Sequence, residues 1–208
     1  DLVVQQLELY RLVCPIFLHG FLLHLVFNMF AFLQLGSLVE YFYGPLRLVA
    51  FYLATGILAS LVSALANTGV VASVGASGAV FGLAGVLVGM GLFSVEPLRE
   101  QIRGVGRMLF IQVAFWIVLG FTIGAVWGGP FDNWAHLGGF LAGIGVPLVS
   151  RDPARPQRWL EVVGGVLIAA VLASGIWAYR DGSNAADNAD SDVSAVLMRR
   201  AKGAGDGW

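Results

Sequence analysis

Six apolar stretches, at residues 16–39, 46–66, 76–95, 108–127, 134–149 and 159–179, constrain this chain more than anything else in it. Each is close to the length an α-helix needs to cross roughly 30 Å of hydrocarbon. The stretch at 134–149 is short, and its aromatic and polar flanks extend it. Charge is scarce: Asp, Glu, Lys and Arg make up 12% of the residues, against about a quarter in a soluble globular domain. Apolar residues make up 58%, and mean hydropathy is +0.80. A membrane β-barrel needs apolar and polar residues to alternate, and these stretches do not alternate. The expected fold class is therefore all-α, a polytopic transmembrane helix bundle with the lipid bilayer as its first partner.

The connections between the stretches alternate in charge. Arg47 follows the first, Arg99, Arg103 and Arg107 follow the third, and Arg151, Arg155 and Arg158 follow the fifth. The connections at 67–75 and 128–133 hold no Lys or Arg. The positive-inside rule puts the arginine loops in the cytosol and the other ends outside. Trp127, Trp134, Trp177 and Tyr179 then read as an outer aromatic belt, and Tyr41, Tyr43 and Trp159 as an inner one. The net charge of −1 gives no reason to expect a nucleic-acid partner. Cys14, the one cysteine, can form no internal disulfide and reads as a small apolar filler. From Asp181 the chain is rich in Asp, Asn, Ala, Gly and Ser, the composition of a disordered tail. Asp1 is not a start methionine and no signal peptide follows, so the chain reads as a piece of a longer one.

Polar and ionisable groups are costly inside a membrane and tend to mark function. The three histidines, His19, His24 and His136, all fall near the expected outer ends of spans. Taken singly, each is as well explained by a hydrogen bond to a neighbouring helix. The string Gly75-Ala76-Ser77-Gly78 is weak by itself in a chain with 28 glycines, but it stands where an outer loop turns into a helix. Free backbone N–H groups at such a point can hold a developing oxyanion. His24 and Asn28, four apart, share a helix face and form a potential donor pair, or else interhelical glue. Gly78, Gly82, Gly85 and Gly89 make one small-residue stripe behind Ser77, and Gly139 and Gly143 make another behind His136. Such stripes let helix backbones approach closely. Pairing these two would bring Ser77 and His136 together at one depth. Helix packing with no catalysis is the plain alternative.

Tyr10-Arg11 with Pro15, His19, the string His24-Leu25-Val26-Phe27-Asn28, then Gly36 and Glu40, resembles the first loop and second helix of the rhomboid family. Gly75-Ala76-Ser77-Gly78 resembles that family's nucleophile motif. Ala135-His136-Leu137-Gly138-Gly139 with Gly143 resembles its catalytic sixth helix. The resemblance covers roughly residues 9–149, and the ordered joint match is specific. It implies an intramembrane serine endopeptidase working by a Ser-His dyad with no cofactor and no metal. Ser77 would be the nucleophile and His136 the base. The Ser77 amide, His24 and Asn28 would hold the oxyanion. Gly75, Gly78, His19, Phe81 and Asn133 would support the site, His19 and Asn133 near the cavity mouth. Implied substrates are single-pass transmembrane proteins cut near the outer end of their helix.

Two departures from the family stand out. The family places a helix ahead of the Tyr10-Arg11 loop, and this chain carries none. It also commonly has a tyrosine one turn after the serine, where this chain has Phe81, so ring stacking under the histidine survives without a hydroxyl. The resulting division is an outer-side loop at 1–15, a catalytic bundle at 16–150, a cytosolic linker with an extra C-terminal helix at 151–180, and the tail at 181–208. The arginine bias over lysine hints at a bacterial cytoplasmic membrane. Two other readings remain open: an inactive rhomboid-like binder of membrane segments, and a transporter, for which inverted repeats are not found. A zinc protease is disfavoured, since no H-E-x-x-H string occurs.

Overall fold

A computed structural model describes the backbone at residues 9–67, 74–127, 132–155 and 157–203, with side-chain detail at 10–67, 74–126, 132–155 and 157–180. Two 3-10 turns, Leu9–Leu12 and Cys14–Phe17, open the described chain. Six helices follow: α1 (Leu22–Tyr43), α2 (Pro45–Ala66), α3 (Ser77–Phe93), α4 (Leu98–Trp127), α5 (Asn133–Val149) and α6 (Arg158–Gly203). Helix α1 starts at Leu22 and not at residue 16 as the apolar run suggested. Pro15 lies in the second 3-10 turn and Gly20 follows it, and neither favours continuing a helix. Gly44, with φ +80°, makes the tight turn from α1 to α2, and Pro45 opens α2 where its missing N–H is harmless.

Among the described residues four helices are long and apolar enough to cross a membrane: α1, α2, α4 through Val126 and α6 through Arg180. The chain is an all-α integral membrane protein. The helices α3 and α5 have 17 residues each, which is about 26 Å at 1.5 Å per residue, a few ångströms short of the hydrocarbon. They are also the core. Every residue from 82 to 91 of α3 is buried, and α3 packs on α1, α2, α4 and α5. A helix that is apolar all round belongs in such a place. By contrast, 17% of the apolar window of α1 and of α4 is buried, and 6% of that of α6, which marks these three as the lipid-facing rim.

Lipid tails are as apolar as leucine, so burial of apolar area does little to drive helices together in a bilayer, and close packing takes over. The two glycine stripes supply it. A Cβ at Gly139 would overlap the Gly78 carbonyl oxygen, and one at Gly143 would overlap that of Gly82. In return, Gly85 lies against the Phe140 carbonyl and Gly89 against that of Ile144. The helices α3 and α5 therefore run parallel, backbone on backbone, as the pairing of stripes anticipated.

Two sequence expectations are corrected. Tyr43 is no belt residue: it is buried, and its hydroxyl donates to the Ser150 carbonyl at 3.0 Å. And helix α6 runs on past Asp181 to Gly203, where a disordered tail was expected. The segment has no proline and several alanines, and basic Arg199, Arg200 and Lys202 stand near its end, where cations suit a helix dipole. Of the remaining expectations, residues 1–8 of the opening loop, 68–73 and 128–131 of the outer connections, the Trp127 ring and residues 204–208 lie outside the described structure. Trp134, Trp159, Trp177, Tyr41 and Tyr179 are exposed as a belt requires.

Candidate active site

Ser77 is the first residue of α3. Amide groups in a first helical turn have no intrahelical acceptor, so they remain available to an anion. The chain reaches this point through a fitted turn. Gly75 has φ +136°, a conformation L side chains rarely adopt, and its N–H donates to the Pro15 carbonyl at 2.9 Å. A Cβ on Gly75 would also come within 2.6 Å of the His24 ring. Ala76 N–H points at Nε2 of His19, 3.4 Å away. His19 thus holds the loop that presents Ser77. Gly78 lies under Ala59 of α2, where a Cβ would stand 2.7 Å from the alanine methyl.

His136 is in the first turn of α5. Its Nε2 is 2.8 Å from the Ser77 hydroxyl oxygen. With Nδ1 carrying the proton, Nε2 accepts the hydroxyl hydrogen. Phe81 lies flat against the imidazole, ring centres 4.4 Å apart and planes 10° from parallel. Phe81 is four residues after Ser77, so the helix that carries the hydroxyl also carries the plate on which the imidazole rests.

His24 and Asn28 lie on α1, which packs against α3. The His24 ring is edge-on to His19 at 5.2 Å and tilted on Phe21 at 5.5 Å. Asn28 is buried, and its amide donates one hydrogen to the His24 carbonyl at 2.9 Å, which leaves the second available. Asn133 was expected near the mouth of the site. It is buried with its side chain against Gly120 of α4, in the α4–α5 contact. Cys14 is half-buried in its 3-10 turn, and burial pushes its thiol above the ordinary range, which suits a filler.

One residue of the site was missed in the sequence. Asp132 caps α5: its Oδ1 accepts from Ala135 N–H at 3.0 Å and from the Asn67 amide at 3.3 Å, and its Oδ2 accepts from the Ser63 hydroxyl. Its carbonyl takes the His136 N–H at 3.1 Å. Asp132 therefore ties the start of the histidine helix to the end of α2. The available signal was an Asp directly before the helical run Asn133-Trp134-Ala135, a preferred N-cap residue.

Fold and geometry define a class: a polytopic helical membrane protein with a serine hydroxyl and an imidazole in hydrogen-bond contact between its two central helices. Comparison with known proteins narrows it. The family model for the Rhomboid domain matches residues 6–152. Rhomboid-like protease 1 of Toxoplasma gondii is 33% identical over 82% of this chain and 57% of its own length. RHOMBOID-like protein 5 of Arabidopsis thaliana is 37% identical over 68% of this chain and 44% of its own. Rhomboid protease GluP of Bacillus subtilis (strain 168) is 33% identical over 85% of this chain and 33% of its own. No solved structure matches. The chain belongs to the rhomboid family, and it spans roughly a third to three fifths of the length of these curated relatives.

Proposed function

We propose that this chain carries the catalytic unit of an intramembrane serine endopeptidase, with Ser77 as nucleophile and His136 as general base. One observation carries the reading: the 2.8 Å contact between Ser77 Oγ and His136 Nε2, made between the two helices whose glycines lock them together. An unassisted serine hydroxyl is a poor nucleophile at neutral pH, and a base at hydrogen-bond distance removes that obstacle. Ser77 Oγ attacks the scissile carbonyl while His136 Nε2 takes the hydroxyl proton. The imidazolium then returns that proton to the leaving amine. Water, deprotonated by the same nitrogen, hydrolyses the acyl-enzyme. In this reading the Ser77 amide, the free hydrogen of Asn28 and the His24 ring hold the oxyanion.

The names of two relatives, Rhomboid-like protease 1 and Rhomboid protease GluP, describe proteases, which favours an active enzyme over an inactive binder. The substrates of this reading are single-pass membrane proteins cut near one end of their helix. The arginine loops favour the cytoplasmic membrane of a bacterium with Ser77 toward the outer face. The catalytic unit in this reading is residues 16–150, and α6 is an added helix.

The test is reconstitution of the full-length protein in liposomes with a panel of single-span substrates and a fluorophosphonate probe. Cleavage and probe labelling, both lost in Ser77→Ala, are the expected result. Substantial cleavage by purified Ser77→Ala protein overturns the assignment. Failure of the wild-type protein to label or cleave returns the chain to the inactive-binder reading.

A further inference from the structure

At the end of the bundle opposite Ser77, a groove of about 280 Å³ opens between α3 and α4, lined by Val88, Gly91, Leu92, Arg103, Gly106, Arg107 and Phe110. Its walls are apolar, and Leu92 and Phe110 are more than half exposed along it. The glycines let the two helices touch there: a Cβ on Gly91 would stand 3.2 Å from Arg103 Cα, and one on Gly106 would stand 3.2 Å from the Leu87 carbonyl oxygen. Arg103 and Arg107 are four residues apart and so share a face of α4. Both are exposed, and neither has an ion-pair partner among the described residues. Arg99, one turn earlier, is different, because Glu96 holds it at 2.5 Å. Glu100 is the remaining acid on this stretch of α4, and it makes no ion pair with either arginine.

Depth in the bilayer follows from length. The 30 residues of α4 extend about 45 Å, and the apolar run from Met108 to Trp127 takes up about 30 Å of that. The turns that carry Arg103 and Arg107 therefore lie at headgroup level, with Phe110 just inside the hydrocarbon. Glu96, bound to Arg99, feels Arg103 only at longer range, so neither Arg103 nor Arg107 is in contact with a carboxylate among the described residues. Two such guanidinium groups at that level, above an apolar groove that descends into the membrane, match a molecule with an anionic head and an apolar tail.

We infer that this groove seats an anionic phospholipid, its phosphate between Arg103 and Arg107 and the upper part of an acyl chain along Leu92, Val88 and Phe110. The charge singles out the lipid over a second copy of this chain or a bound substrate helix. The site lies at the far end of α3 and α5 from Ser77 and is independent of the proposed catalysis.

The experiment titrates full-length protein in neutral detergent with pyrene-labelled phosphatidylglycerol, and with phosphatidylcholine of the same chains. Phosphatidylglycerol is expected to bind at least ten-fold more tightly. A juxtamembrane arginine contributes about 1 kcal/mol to anionic-lipid binding, so each loss weakens binding about five-fold and Arg103→Gln with Arg107→Gln about 25-fold. Leu92→Trp, at an exposed position, fills the groove without touching charge, and it too should lower the affinity for phosphatidylglycerol. Arg103→Lys with Arg107→Lys keeps the charges and retains most binding, which supplies a folded comparison if the glutamine pair is unstable. Equal affinity for the two lipids, or unchanged affinity in both the glutamine pair and Leu92→Trp, overturns the inference. So does displacement of the lipid by excess inorganic phosphate, which would mean an anion site with no seat for the chain.

Discussion

The Ser77 end of the bundle carries side-chain pairs that join separate helices: Ser77 with His136, and Ser63 and Asn67 with Asp132. At the opposite end the buried side chains of Tyr43 and Arg47 bond to main chain instead. The Tyr43 hydroxyl donates to the Ser150 carbonyl, and buried Arg47 donates to the carbonyls of Pro153 and Arg155 at 2.9 and 3.1 Å. Val95 N–H adds a bond to the Arg151 carbonyl. A main-chain carbonyl cannot ionise or change rotamer, so these contacts fix where the α5–α6 connection runs. Side-chain pairs hold groups that can exchange protons and move. One end is a frame and the other holds the proposed chemistry. The glycine-locked pair α3 and α5 transmits the frame's position to Ser77 and His136.

The contrast predicts that substitutions at the two ends fail in different ways. The largest effect belongs to the pair itself. Ser77→Ala and His136→Ala should each lower turnover by roughly 10⁴–10⁶ with insertion and melting temperature preserved, and the double variant should be no worse than either single one. Single-turnover cleavage of a reconstituted substrate measures this, and additive losses would mean the two residues do not act as a unit.

Next comes Asn28. Loss of one oxyanion donor typically costs about 10²–10³ in rate, so Asn28→Ala should lower kcat with KM little changed. Its bond to the His24 carbonyl adds about 1 kcal/mol of lost stability. Unchanged turnover with a lower melting temperature would move Asn28 from the chemistry to the packing.

Arg47 tests the frame. Each of its bonds to a carbonyl involves a charged donor and is worth about 1.5–3 kcal/mol. Arg47→Ala should therefore destabilise the protein by about 3 kcal/mol in a denaturant titration, while the folded fraction keeps its turnover. The exposed Glu161, 3.9 Å from Arg47, adds little, so Glu161→Gln should be silent. A fall in kcat for Arg47→Ala at full folding would erase the distinction between the ends.

Much of this was legible in the residues. The helices followed from apolar length, although the first of the six begins at Leu22 and not at residue 16, and the Ser77–His136 contact was one outcome of pairing the two glycine stripes. The Phe81 stack followed from the resemblance to the rhomboid family, which has a ring one turn after the serine. Three of the hidden features, Arg47, Tyr43 and Asp132, share one physical property: the partner is a distant carbonyl or the feature is a lone cap. Arg47 reads as one more topogenic arginine, because nothing in a string of letters marks a carbonyl more than a hundred residues away as its acceptor. Tyr43 reads as a belt aromatic for the same reason. The α6 extension was hidden because composition speaks to disorder more directly than to helix when both are open to a polar segment.

The smallest effect concerns Asp132, which belongs to the site end yet acts through main chain as the frame does. Its carboxylate caps the first turn of α5, the turn that carries His136, and it joins that cap to Ser63 and Asn67 of the α2 end. It touches neither Ser77 nor a reacting atom, so it is a positioning residue. Loss of an N-cap costs about 1 kcal/mol. Asp132→Ala should lower stability by about that much and kcat by about ten-fold, the rate penalty of a slightly misplaced base, with KM unchanged. Asp132→Asn keeps a carbonyl oxygen for the Ala135 N–H and should recover most of the turnover. If Asp132→Asn is as slow as Asp132→Ala while melting like the wild type, the negative charge matters more than the cap. If Asp132→Ala keeps full kcat despite lost stability, the tie to α2 belongs to the frame, and the border between the two ends lies between Asp132 and Ser77.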